Sequence, residues 1–174
     1  MSARLLVALL ALPLGACGDQ VVHVRLGSGT WPGCPDAEFL LSPVWIVKAQ
    51  LHVGSRPTSP MWPACVETTG QIWTLAALER KFRDESKVFD HVPSEGPWRL
   101  VIAGYPKEPK EESHPSDEDT CDRPRTQAAL LCGMTTGEMF PPSSELTVSI
   151  DCMPRFTTDP EIKERIKSCA ANIF

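Results

Sequence analysis

Cysteine is the residue type in this chain with the widest choice of chemistry. Seven are present: Cys17, Cys34, Cys65, Cys121, Cys132, Cys152 and Cys169. A thiol can attack, ligate a metal or close a bridge, and spacing separates these roles. Zinc sites draw on Cys-x-x-Cys pairs, whereas here the nearest two cysteines, Cys121 and Cys132, stand eleven positions apart. Bridges are therefore expected, and no metal. The four histidines, His23, His52, His91 and His114, could serve as bases. None falls in a Gly-x-Ser-x-Gly, Gly-x-x-x-x-Gly-Lys, Gly-x-Gly-x-x-Gly or His-Glu-x-x-His motif. A Ser-His-Asp site can still be assembled from distant positions. Asp90-His91 near Ser86 is common composition rather than a signature, and surface or half-buried structural histidine is the expectation. No cofactor is implied.

Carboxylates concentrate between Lys107 and Asp122: Glu108, Glu111, Glu112, Asp117, Glu118, Asp119 and Asp122. Calcium takes clustered carboxylate oxygens, but the spacing of an EF-hand loop and its glycine are missing. The segment reads as a solvated loop held at its end by Cys121. Glu111 and His114 could chelate together only on a helix, which Pro109 and Pro115 oppose. Five tryptophans complete the inventory. Trp31 and Trp62 each precede a proline and could stack a sugar or face a partner. Packing against a disulfide is the plainer role for both. Trp45, Trp73 and Trp98 are expected to fill the core.

The first seventeen residues carry an address. Met1-Ser2-Ala3-Arg4 is a charged start, and Leu5–Leu12 is an apolar run too short to span a bilayer, which needs about 20 apolar residues. It ends in Leu14-Gly15-Ala16-Cys17. This resembles the lipobox of bacterial lipoproteins, with Leu at −3, small residues at −2 and −1, and Cys at +1. The resemblance implies a signal peptide over 1–16, a diacylglyceryl thioether on Cys17, cleavage before it and acylation of the new amine. The lipid bilayer would then be a partner through Cys17. In that family an Asp directly after the Cys favours the inner membrane; Gly18 stands there instead, so outer membrane is the expectation. Residues 17–20 would be a lipidated cysteine and short tether.

Setting Cys17 aside turns an odd cysteine count into an even one. Six remain, and an exported chain with six should form three bridges among fifteen possible pairings. Trp31-Pro32-Gly33-Cys34 and Trp62-Pro63-Ala64-Cys65 are near copies, so their turns could lie side by side and join Cys34 to Cys65. Cys121–Cys132 and Cys152–Cys169 would follow.

The elements that must position these groups are mostly strands. Val21–Leu26 is β-branched, and Val44–Val53 is the longest strand candidate. Gly54–Pro63 reads as loop. Leu75, Leu78 and Phe82 predict a short helix through Arg83, with Thr74 as N-cap. Trp98–Tyr105 predicts a strand with Trp98, Leu100 and Ile102 on one face. Ala128–Met134 and Glu145–Cys152 predict two more. Asp159 as N-cap, Pro160 at the first turn and Ile162, Ile166, Cys169 and Ile173 predict a helix over 159–173. Together these describe one mainly β domain over 21–174, a disulfide-stapled β-sandwich of Ig-like or similar kind, with a short internal helix and a C-terminal amphipathic helix.

Size and charge agree. Removing sixteen residues from 174 leaves 158, enough for one sizeable core. The net charge of −5 carries no basic nucleic-acid footprint. Seventeen prolines oppose an all-helical bundle. The expected function is a non-enzymatic structural or protein-interaction module held at an envelope membrane. A glycan- or peptidoglycan-binding module using exposed Trp31 and Trp62, or a hydrolase with an unrecognised site, are the alternatives.

Overall fold

The β-branched and alternating segments become seven strands in the computed structural model, which describes residues 20–28, 44–54, 61–68, 75–84, 89–109, 121–122, 124–141, 143–152 and 160–173. The lipobox with Cys17, and Trp31, Cys34, Trp73, Thr74, Ser86, His114 and Asp159, lie outside the described residues. The strands are β1 (Gln20–Ser28), β2 (Val44–Val53), β3 (Met61–Glu67), β4 (Phe89–Val92), β5 (Trp98–Pro106), β6 (Leu131–Gly137) and β7 (Glu145–Cys152). The helices are α1 (Leu75–Asp84) and α2 (Pro160–Ala170).

The strands are hydrogen-bonded in one order, β3-β2-β5-β6-β7-β1-β4. All pairings are antiparallel except β1 with β7. The two edges, β3 and β4, approach each other, so the sheet is nearly closed in a barrel-like shape. The mainly β, disulfide-stapled class with one internal and one C-terminal helix is what the sequence predicts.

One apolar cluster fills the concave side. Val22 and Val24 of β1, Val47, Ala49 and Leu51 of β2, and Leu100 and Ile102 of β5 meet Leu146, Val148 and Ile150 of β7 there. The period-2 pattern of β7 is reproduced residue by residue, with Leu146, Val148 and Ile150 buried and Thr147 and Ser149 exposed. Leu78 and Phe82 of α1 enter the same cluster, and the Glu79 carboxylate accepts the Leu26 N–H at 2.9 Å.

A second cluster lies on the convex side. Val101, Ala103 and Tyr105 of β5 and Cys132 of β6 pack there against Ile162 and Ile166 of α2. β5 is therefore covered on both faces, which explains its run of apolar residues. Pro160 opens α2, where its missing N–H costs nothing. Arg165 adds an ion pair of 2.7 Å to Asp151 of β7.

Three boundaries differ from the prediction. The segment Met61–Pro63, expected in a loop, belongs to β3, which pairs with β2 from His52↔Met61 to Ile46↔Glu67. β3 is an edge strand, where proline is tolerated. β4 is only four residues long and has no signal of its own. The strand expected over Ala128–Met134 runs over Leu131–Gly137 instead.

The bridges also differ. Cys65 is joined to Cys121, and Cys132 to Cys169. This overturns the expected Cys34–Cys65, Cys121–Cys132 and Cys152–Cys169 pairs. Cys65 is on β3 rather than in the turn expected for it, and its sulfur is taken by Cys121. Cys152 is disulfide-bonded as well. Its partner is none of the four cysteines already paired, which leaves Cys17 and Cys34, both outside the described residues.

Candidate functional site

The strand registers define two ends of the barrel. At one, Gln20 pairs with Val92, and Trp98 stands between Val53 and Gly137. His52 lies opposite Met61, and His23 opposite Glu145. This is the entry end, where the chain arrives from Cys17, Gly18 and Asp19. At the other end Val44 pairs with Pro106, Gly104 with Leu131, and Leu131 with Cys152.

The entry end is tied together by polar contacts. The Gln20 side chain donates to the Pro93 carbonyl at 3.4 Å and accepts the Ser144 hydroxyl at 2.7 Å. Ser144 adopts φ 52°, and its carbonyl accepts the His23 N–H at 2.9 Å. Beside it, the Trp98 N–H reaches the Met139 carbonyl at 2.9 Å. These bonds hold the Val92–Trp98 and Gly137–Glu145 connections against the start of β1. They leave apolar side chains outside: Met139 is 77% exposed, Met61 46% and Val21 41%.

At the far end two carboxylates, Glu108 and Glu67, are held by hydrogen bonds. Glu108, expected among solvated loop residues, is instead 2% exposed. Its carboxylate accepts the Thr126 N–H at 2.9 Å, the Gln127 N–H at 3.2 Å and the Thr126 hydroxyl. Burial alone would raise its pKa, but these hydrogen bonds and nearby Arg125 outweigh burial and hold it below the usual value. Glu108 thus joins the two ends of the β5–β6 connection. Nothing in its sequence context distinguishes it from its acidic neighbours. Glu67 accepts the Cys121 N–H at 3.1 Å, next to the Cys65–Cys121 bridge.

The tryptophans divide differently from expectation. Trp62 is half-buried, with its ring against the concave core. Trp31 lies outside the described residues, so the pair expected to form a platform is not brought together by anything described. Trp98, also expected to fill the core, is half-buried and packs against it. Trp45, predicted in the core, is only half-buried, and the Lys107 ammonium stands over its ring at 4.4 Å. An open cavity of about 270 Å³ on the convex side is lined by Lys48, Gln50, Pro63, Ala64, Cys65 and Ile173. It holds no indole ring.

The histidines do not gather catalytic partners among the described residues. His91 and Asp90 are exposed neighbours, with Nδ1 3.2 Å from the carboxylate. His52 is half-buried, and its Nε2 has no hydrogen-bond partner among the described residues. Burial, and then the charge of Arg99, lower its pKa. Among the described residues no three His, Cys, Asp or Glu side chains converge as a metal site would need. Among them, too, no helix is long and apolar enough to cross a membrane. In comparisons with known proteins, no family model, no curated protein and no solved structure matches the chain.

Proposed function

We propose that this chain is an exported lipoprotein whose β barrel is a structural or protein-interaction module, held at an envelope membrane through acylated Cys17. The observation that carries the reading is the cysteine count. Cys65–Cys121 and Cys132–Cys169 consume four thiols, and Cys152 with its partner consumes two more. With seven cysteines, a fully oxidised chain leaves one over. The lipobox resemblance assigns that one to Cys17 and so gives Cys34 to Cys152. Stable bridges of this number also fit an oxidising compartment rather than a cytosol.

The position of β1 supports the same reading. It begins at Gln20, so only Gly18 and Asp19 separate the lipidated residue from the folded strand. Three acyl chains, at about 0.8 kcal/mol per buried methylene, would make detachment rare. The packing of Trp62 against the core argues against a role as an open sugar platform. Replacement Cys17→Ser tests the reading. The expected outcome is an unprocessed precursor without acyl chains; normal processing and unchanged membrane fractionation would contradict it.

A further inference from the structure

Of the four large apolar side chains that are exposed among the described residues, three belong to the entry end. Met139 lies in the β6–β7 connection, Met61 opens β3, and Val21 follows Gln20 in β1. The fourth, Met134, lies three residues up β6 from Gly137. Three of the four exposed apolar groups thus mark one end of the barrel, and Met134 stands midway along β6.

That end is also where the chain arrives from Cys17. We infer that the entry end, with Val21, Met61 and Met139, rests on the phospholipid surface that carries the acylated Cys17. The inference rests on the lipoprotein reading and deepens it by giving the module an orientation. Its occupant is set by chain length. From Cys17 to Gln20 the backbone spans three residues, at most about 10 Å when fully extended. A lipid thioether on Cys17 therefore cannot stand far from Gln20, and the groups hydrogen-bonded to Gln20 come down with it. These are Pro93 and Ser144, and Ser144 belongs to the same connection as Met139.

The architecture makes the contact stable in direction. The stack of Trp98 on Phe140 and the bond from Trp98 to the Met139 carbonyl fix the backbone of that connection while its methionine points out. Methionine is flexible and polarisable, suited to an irregular surface such as the headgroup boundary. Glu95 and Glu138 are exposed in the two connections at this end and keep it at headgroup depth rather than deeper. In this orientation the far end is directed away from the bilayer. The β5–β6 connection, with its seven carboxylates, starts and ends there, at Lys107 and Leu130.

The test uses the full acylated chain in nanodiscs of phosphatidylethanolamine and phosphatidylglycerol, with and without a phospholipid bearing a nitroxide at its headgroup. Methyl NMR then reads proximity to lipid. Val21, Met61 and Met139 are expected to lose most of their signal, while Val66 and Leu131 at the far end keep most of theirs. Uniform loss, stronger loss at Val66 and Leu131, or no loss anywhere would overturn the orientation. Intact mass of the same sample separates the two ideas. An acyl mass on Cys17 with the wrong gradient sinks the orientation alone. No acyl mass sinks the lipoprotein reading and the orientation with it.

Discussion

The indole of Trp98 stacks on the ring of Phe140 with centroids 5.7 Å apart and planes inclined by 25°. The stack is possible because Gly137 lies opposite Trp98 in the β5–β6 ladder. A Cβ at Gly137 would come within 2.7 Å of the indole. A bare glycine beneath an aromatic ring is a recognised way of filling a strand without a side chain. Gly137→Ala should therefore displace the indole and destabilise the fold by about 1–3 kcal/mol. Urea denaturation followed by tryptophan fluorescence measures this, and an unchanged midpoint would mean that the ring moves freely.

The Cys132–Cys169 bridge fastens α2 to the convex face of β6, where Ile162 and Ile166 are buried. Replacing both cysteines by serine should cost about 2–4 kcal/mol in denaturant unfolding. The change should be local as well. Amide exchange in α2 should accelerate more than in β2, which is paired on both sides by β3 and β5. Equal acceleration in both elements would show that the bridge stabilises the sheet itself.

The α2 spacing, the alternation of β7 and the apolar run of β5 were legible because each records one local surface. Ile162, Ile166 and Cys169 share a helix face whatever lies opposite. The bridges were not legible, because they depend on which strands become neighbours. Cys65 meets Cys121 only because β3 pairs with β2 as an edge strand, and Pro63 disguised β3 as loop. β4 is held by β1, more than sixty residues earlier, and four residues carry too little pattern to announce it. Glu108 was hidden for a related reason. Its partners, Thr126 and Gln127, are brought to it by the return of the chain to β6, not by sequence neighbourhood.

Glu108 should make the fold acid-sensitive. Its folded pKa lies below the ordinary value of 4.5, so the unfolded chain takes up its proton first as pH falls. Its contribution is fully present above that value and is lost on descent through the folded pKa. Glu108→Gln keeps the shape but not the charge, and should cost about 1–3 kcal/mol at neutral pH. It should also flatten the stability profile below pH 4.5. An unchanged profile in the variant would remove Glu108 from the account.

His52 adds a second window at higher pH. Burial, with Arg99 close by, holds its folded pKa below 6.5, so the unfolded state binds the extra proton. Stability should be greatest above pH 6.5 and fall as pH drops from there toward the folded pKa. His52→Gln should remove that part of the slope and leave the Glu108 window in place. Thermal melts at a series of pH values separate the two, and a slope that persists in the variant would contradict the assignment.

Intact mass with non-reducing peptide mapping, on protein taken from its native membrane, tests the anchored and stapled module most directly. The expected result is acyl mass on an N-terminal Cys17, with bridges Cys34–Cys152, Cys65–Cys121 and Cys132–Cys169. A Cys17–Cys152 peptide, or an unmodified Cys17, would contradict the anchor and require another role for the remaining thiol.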